Sequence, residues 1–168
     1  PIITELTDEE FNEYQELTVK IARKLGSMKN DQKPSELLGF VEGQRAEVIA
    51  AAVKKYDIFE NILNEIPKLE NSLIYCHYKQ MDRAKEILFQ HGIVFHQITY
   101  HESAEERRKL LALLSKKVYD ATLAIRCLDE GVDIPSAKIG IILASSGNPR
   151  QYIQRRGRLL RVSEGKNE

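Results

Sequence analysis

From Pro67 onward the chain alternates short apolar runs with charged, helix-like segments, and this alternation narrows the possible folds more than any other feature. The runs are SLIYCHY (72–78), IVFHQITY (93–100), ATLAIRCL (121–128) and IGIILAS (139–145). The first, SLIYCHY, is continuously hydrophobic, as expected of a strand covered on both faces. A segment rich in Lys, Arg and Glu follows the first run and stops at Gly92, a residue suited to a helix C-terminus. Ser103 with Glu106 forms a capping-box pattern that opens a helix through Leu114, and Asn148-Pro149 starts a last helix with proline in its first position. Repeated strand-helix-strand units require right-handed crossovers, so the expected fold class is α/β, a mostly parallel sheet flanked by helices. Ligands of such sheets sit at the carboxyl ends of the strands.

The first 66 residues have a different pattern. Thr7 followed by Glu10 is another capping box, after which Phe11, Tyr14, Leu17, Ile21 and Leu25 recur at helical spacing until Gly26. SMKNDQKP is a loop. Leu37, Leu38, Val41, Val48, Ile49, Val53 and Tyr56 predict one second helix, bent near Gly39 or Gly43, and a short third helix covers Ile58 to Ile66. The expected organisation is therefore a helical segment over 1–66 leading into an α/β lobe over 67–168.

Composition excludes several classes. The 168 residues are 42% hydrophobic and 30% charged, which suits a globular domain with added helix. Lys+Arg and Asp+Glu are equal at 25, so net charge does not identify a partner, but the distribution allows a local basic site on a neutral protein. TDEEFNEYQE is acidic, whereas Arg150, Arg155, Arg156, Arg158 and Arg161 crowd the end. Cys76 and Cys127 stand far apart without paired ligands, so reduced thiols are expected rather than a disulfide or a zinc site. No apolar run approaches the roughly 18 residues of a membrane span. A cytoplasmic protein without membrane contact is expected. Pro1 is not a start residue and SEGKNE closely follows the arginines, so a fragment of a longer polypeptide is expected.

Two segments carry chemistry. QRRGRLLR (154–161) sets Gln154, Arg158 and Arg161 on one helix face, with Gly157 allowing close approach of a ligand or backbone. Planar, permanently charged guanidinium groups suit a polyphosphate, although an arginine-rich helix in isolation reads equally as a solvated basic face. LDEGVDIP (128–135) ends a strand with a turn at Gly131 and a carboxylate at Asp133, a pattern common to many α/β proteins.

Taken in order, these segments resemble superfamily II helicases over the region from Leu73 to Arg161. SLIYCHY is similar to motif IV of that family. ITYHESAEERRKLL is similar to the segment after it, with Glu106 and Arg107 as its Glu-Arg pair. AIRCLDEGVDIP resembles motif V and QYIQRRGRLLR motif VI, with Gln154, Gly157, Arg158 and Arg161 on its consensus positions. The resemblance implies a C-terminal RecA-like lobe of the P-loop NTPase type, closest in style to DNA-repair or restriction-type enzymes. It implies that Arg158 and Arg161 act as arginine fingers on ATP and that Asp133, beside Gly131, accepts a bond from the ribose. Gln154 and Gly157 complete the nucleotide contacts. No GxxxxGK[ST] occurs, so ATP with Mg2+ is expected to be held mainly by an N-terminal lobe absent from this chain, which alone should not hydrolyse it.

The resemblance also implies a nucleic-acid track, for which His77, Lys79, Tyr100, His101 and Arg126 are the candidates. Where DEAD-box proteins carry a Thr-Asp pair in motif V, this chain has Ile125-Arg126, which speaks against a DEAD-box RNA helicase, and the resemblance of RCLDEGVDIP to DNA-repair and restriction-type translocases implies DNA rather than RNA. A double-stranded DNA translocase of restriction type and a non-catalytic binding module are the alternatives. His91, His96 and His101 lack ligand partners at metal spacing and are expected to be structural or surface residues. Cys76 is expected to pack in the sheet, and Arg45 to meet either DNA or another lobe.

Overall fold

The computed structural model describes residues 2–27, 36–125 and 137–144. The chain forms two compact units, Pro1–Asp57 and Ile58–Glu168.

In the first unit, α1 (Asp8–Ser27) begins where the sequence signals it. The Thr7 N–H donates to Glu10 Oε2 at 2.9 Å and the Glu10 N–H donates to Thr7 Oγ1 at 3.3 Å, closing the capping box. Asp8, Glu9 and Glu10 place negative charge on the positive end of the helix dipole. Leu17 and Ile21 pack with Leu38 and Val41 of α2 (Glu36–Ala50), and Val48 lies against this cluster.

The expected second helix through Tyr56 does not form as one piece. It runs through Gly39 and Gly43 but stops at Ala50, and α3 (Lys54–Glu65) begins after three intervening residues. One distant contact and two near ones hold the break. The Val53 N–H donates to Glu10 Oε1 at 2.8 Å, and Lys55 Nζ donates to the Ile49 carbonyl at 2.7 Å and the Ala50 carbonyl at 3.3 Å. Burial lowers the Lys55 ammonium from its ordinary range, against the opposing pull of Glu10. No glycine or proline marks this stop, so the apolar period runs through it unbroken.

The second unit contains the sheet. Its strands are β1 (Ser72–Tyr75), β2 (Phe95–Ile98), β3 (Ala121–Ala124) and β4 (Ile139–Ile142), in the order β2-β3-β1-β4 and all parallel. Every residue of β1 and β3 is buried, as their unbroken apolar runs require. On one face, Leu73, Tyr75, Ile98 and Ala124 pack with Leu111, Leu114 and Tyr119 from α5 (Ala104–Ser115) and the turn after it. Full burial of each such leucine or isoleucine contributes roughly 1.5–3 kcal/mol.

The helices α4 (Met81–Gln90) and α5 end alike by different means. After α4, Gly92 at φ 66° donates to the Phe89 carbonyl and Ile93 donates to the Leu88 carbonyl, a Schellman pair. After α5, Lys117 at φ 58° and Val118 repeat those bonds to Leu114 and Leu113. Glycine takes that backbone freely, whereas lysine takes it at a cost.

Candidate nucleotide and nucleic-acid edge

Parallel strands bring all four carboxyl ends to one edge of the sheet. The ladder extends a residue beyond the strands there: Cys76 N–H to the Ala124 carbonyl at 3.0 Å, Leu143 N–H to the Tyr75 carbonyl at 2.8 Å, and Ile125 N–H to the Ile98 carbonyl at 3.2 Å. Cys76 is buried in this ladder and forms no disulfide.

At the end of β1 the chain turns through a 3-10 helix, Tyr78–Gln80. The His77 N–H donates to Gln80 Oε1 at 3.0 Å, and His77 Nδ1 accepts from the Lys79 N–H at 3.4 Å. His77 and Gln80 are both buried, whereas Tyr78 and Lys79 point outward. Lys79 Nζ lies 6.0 Å from the Tyr78 ring centroid, and the His77 ring lies 4.3 Å from it.

At the end of β2 the Thr99 N–H and hydroxyl both donate to Glu102 Oε2, at 2.7 and 2.9 Å. Burial pushes the Glu102 carboxyl up, but bonds from Thr99 and its own N–H, with His101 nearby, hold it below its ordinary range. This turn presents Tyr100 and His101, both exposed, with rings 4.0 Å apart. Next comes the Ser103–Glu106 box. The Ser103 N–H donates to Glu106 Oε2 at 2.7 Å and the Glu106 N–H to Ser103 Oγ at 3.3 Å. These bonds lower the Glu106 carboxyl. Arg107 is half-buried, and its N–H donates to the Ser103 carbonyl.

Four of the expected nucleic-acid residues thus share one edge, but in different states. Lys79, Tyr100 and His101 are accessible, while the described contacts of His77 make it a buried cap that shapes the turn. Arg126, Gly131, Asp133, Gln154, Gly157, Arg158 and Arg161 lie outside the described residues. Tyr78, exposed beside Lys79, was not among the sequence candidates, because an aromatic at the end of an apolar run reads as core. Arg45 proves to be an internal contact: its guanidinium lies 5.5 Å from the Tyr14 ring centroid and 3.5 Å from Thr18 Oγ1. The His96 ring stacks on Tyr119 at 5.7 Å. Among the described residues no His, Cys, Asp and Glu group could hold a metal ion, and no helix is long and apolar enough to cross a membrane.

A family model described as the helicase conserved C-terminal domain matches residues 54–163. A DNA 3'-5' translocase named XPB2, from Sulfurisphaera tokodaii, is 36% identical over 67 residues, covering 40% of this chain and 15% of its own length. A putative helicase from a Sulfolobus islandicus filamentous virus is 29% identical over 83 residues, 49% of this chain and 15% of its own length. The chain therefore matches only a small part of either relative. Among solved structures, the C-terminal domain of the DEAD-box protein Dbp5 superposes with a TM-score of 0.55 at 19% identity, over 65% of this chain and 64% of that one. A DEAD-box protein from Methanococcus jannaschii gives 0.54 at 20% identity, over 62% and 29% of the two chains. At such identities these structures establish the fold alone. With the parallel sheet and the family match in agreement, the chain belongs to the helicase conserved C-terminal domain family and has its RecA-like fold.

Proposed function

We propose that this lobe is the second half of an ATP-driven motor, in which Arg158 and Arg161 act as fingers on ATP bound mainly by an N-terminal lobe. One observation supports this reading most. β1, β3 and β4 end side by side at one edge, and the segments bearing Asp133 and the arginines follow in sequence from Ile125 and Ala144 at that edge. Such a placement suits ligands of parallel α/β sheets. The strand ends themselves offer apolar Ala124, Ile125 and Leu143, which fit a floor beneath a nucleotide rather than a grip on its phosphates.

In this reading Asp133, beside Gly131, accepts a hydrogen bond from the ribose, while Gln154 and Gly157 shape the approach to the phosphates. Mg2+, held by the other lobe, would neutralise phosphate charge. Arg158 and Arg161 would stabilise the charge that grows on the transferred phosphoryl group. Nucleic acid would cross the same edge over Lys79, Tyr100, His101 and Arg126, with His77 supporting the turn beneath, and alternating closure and release of the lobes would advance it. DNA is favoured by the Ile125-Arg126 pair and by the translocase similar to this chain.

In the full-length protein, Arg158→Ala or Arg161→Ala should lower ATP turnover about a thousandfold while nucleotide affinity changes far less. Equal losses in both would count against finger roles. Strand-displacement and triplex-displacement assays would divide an unwinding enzyme from a double-stranded DNA translocase. Full turnover in both arginine variants would favour a binding module.

A further inference from the structure

Three aromatic side chains of the second unit stand exposed among the described residues: Tyr78, Phe89 and Tyr100. Two of them, Tyr78 at 54% and Tyr100 at 75% exposure, occupy the carboxyl edge. Leaving large rings in water at a functional edge, rather than folding them onto the sheet, points to a ligand with flat apolar faces. Each ring has an imidazole beside it, His77 at Tyr78 and His101 at Tyr100, and Tyr78 also has Lys79 within reach. Each is also carried on a turn fixed by side-chain bonds, Gln80 to His77 in one case and Glu102 to Thr99 in the other. A ring on a fixed turn binds with little ordering cost.

We infer that Tyr78 and Tyr100 are base-stacking residues, so that the track takes an unpaired strand and grips its bases as well as its phosphates. The inference rests on the nucleic-acid track proposed above and specifies its substrate. The two turns follow β1 and β2, which flank β3, so they start about 10 Å apart. That separation of the turns leaves room for each ring to serve its own base. Bases inside a duplex have both faces covered by their neighbours, whereas an unpaired strand offers them, and stacking of this kind is indifferent to sequence. Lys79 and His101 stand where phosphates flanking the stacked bases would run.

The chain contains no tryptophan, so Tyr78→Trp and Tyr100→Trp each install a single reporter. Titration with an oligothymidylate should quench that emission. An oligonucleotide of equal length with abasic sites, which keeps every phosphate, should bind more weakly and quench far less. Tyr78→Ala and Tyr100→Ala should each weaken oligothymidylate binding about tenfold and leave abasic binding unchanged. Equal affinity for both strands, with no loss in the alanine variants, would overturn stacking while leaving a phosphate track intact. Failure of the unaltered chain to bind either strand at low salt would overturn the track as well.

Discussion

His77 and Gln80 hold each other across a single turn: the backbone N–H of one donates to the side chain of the other at 3.0 Å, while the imidazole accepts from Lys79. The residues that face the ligand edge, Tyr78 and Lys79, are those the pair leaves outside. A rigid support beneath an exposed contact keeps binding geometry fixed without burying the contact itself.

Gln80→Ala should remove the acceptor of a buried N–H and open a small void. Leaving that group unpaired costs about 1–3 kcal/mol. For a chain of this size each kcal/mol lowers the melting temperature by roughly 2–4 °C. Thermal unfolding followed by circular dichroism measures the loss, and an unchanged midpoint would show that the turn does not depend on this bond.

Lys79→Ala should weaken nucleic-acid binding by a similar factor for every sequence, because the exposed ammonium meets phosphate rather than a base. The slope of log affinity against log salt should fall by about one. An unchanged slope would remove Lys79 from the track.

Lys117→Gly should stabilise the domain. Lysine stands at φ 58° in the stop of α5, a backbone that glycine adopts without the clash of a Cβ. The gain should be up to about 1 kcal/mol, offset slightly by the lost ion pair with Glu70 at 3.6 Å. A urea melt checks the direction, and a loss would mean that the ion pair outweighs the backbone strain.

Glu70 gathers Lys68, Lys138 and Lys117 at the amino ends of the strands, at 2.6, 3.3 and 3.6 Å. The bond from Lys68, then that from Lys138, then the charge of Lys117 bring its carboxyl down to about 2. An unfolded glutamate titrates near ~4.3. Because the folded value is the lower one, the stabilisation is complete above the unfolded value and disappears as pH falls from about 5 towards 2. Urea midpoints across that range should fall less steeply in Glu70→Gln than in the parent chain, and parallel curves would exclude the cluster as a source of acid sensitivity.

The class of fold, its parallel sheet and the starts of two helices followed from local chemistry. Unbroken apolar runs in SLIYCHY and ATLAIRCL became the fully buried β1 and β3, and the Thr7–Glu10 and Ser103–Glu106 spacings became closed capping boxes. Gly92 announced its stop because its left-handed backbone is written in the residue type. These signals survive in sequence because each depends on neighbours a few positions apart. The motif order that carries the family resemblance was equally visible, although Asp133 and the arginines lie outside the described residues.

Tertiary structure alone decided the rest. No glycine or proline ends α2 at Ala50; Glu10, forty-three residues before Val53, takes the Val53 N–H that a continuing helix would have used. The order β2-β3-β1-β4 depends on which strands pair across long separations, and that order brings the turns of Tyr78 and Tyr100 to the same edge. Burial of His77 and exposure of Tyr78 reverse what their residue types suggest, because the turn at Gln80 points one side chain inward and its neighbour outward. A sequence specifies contacts within a turn or a helix directly, whereas the orientation of a side chain at a strand end is fixed only once distant partners have closed around it.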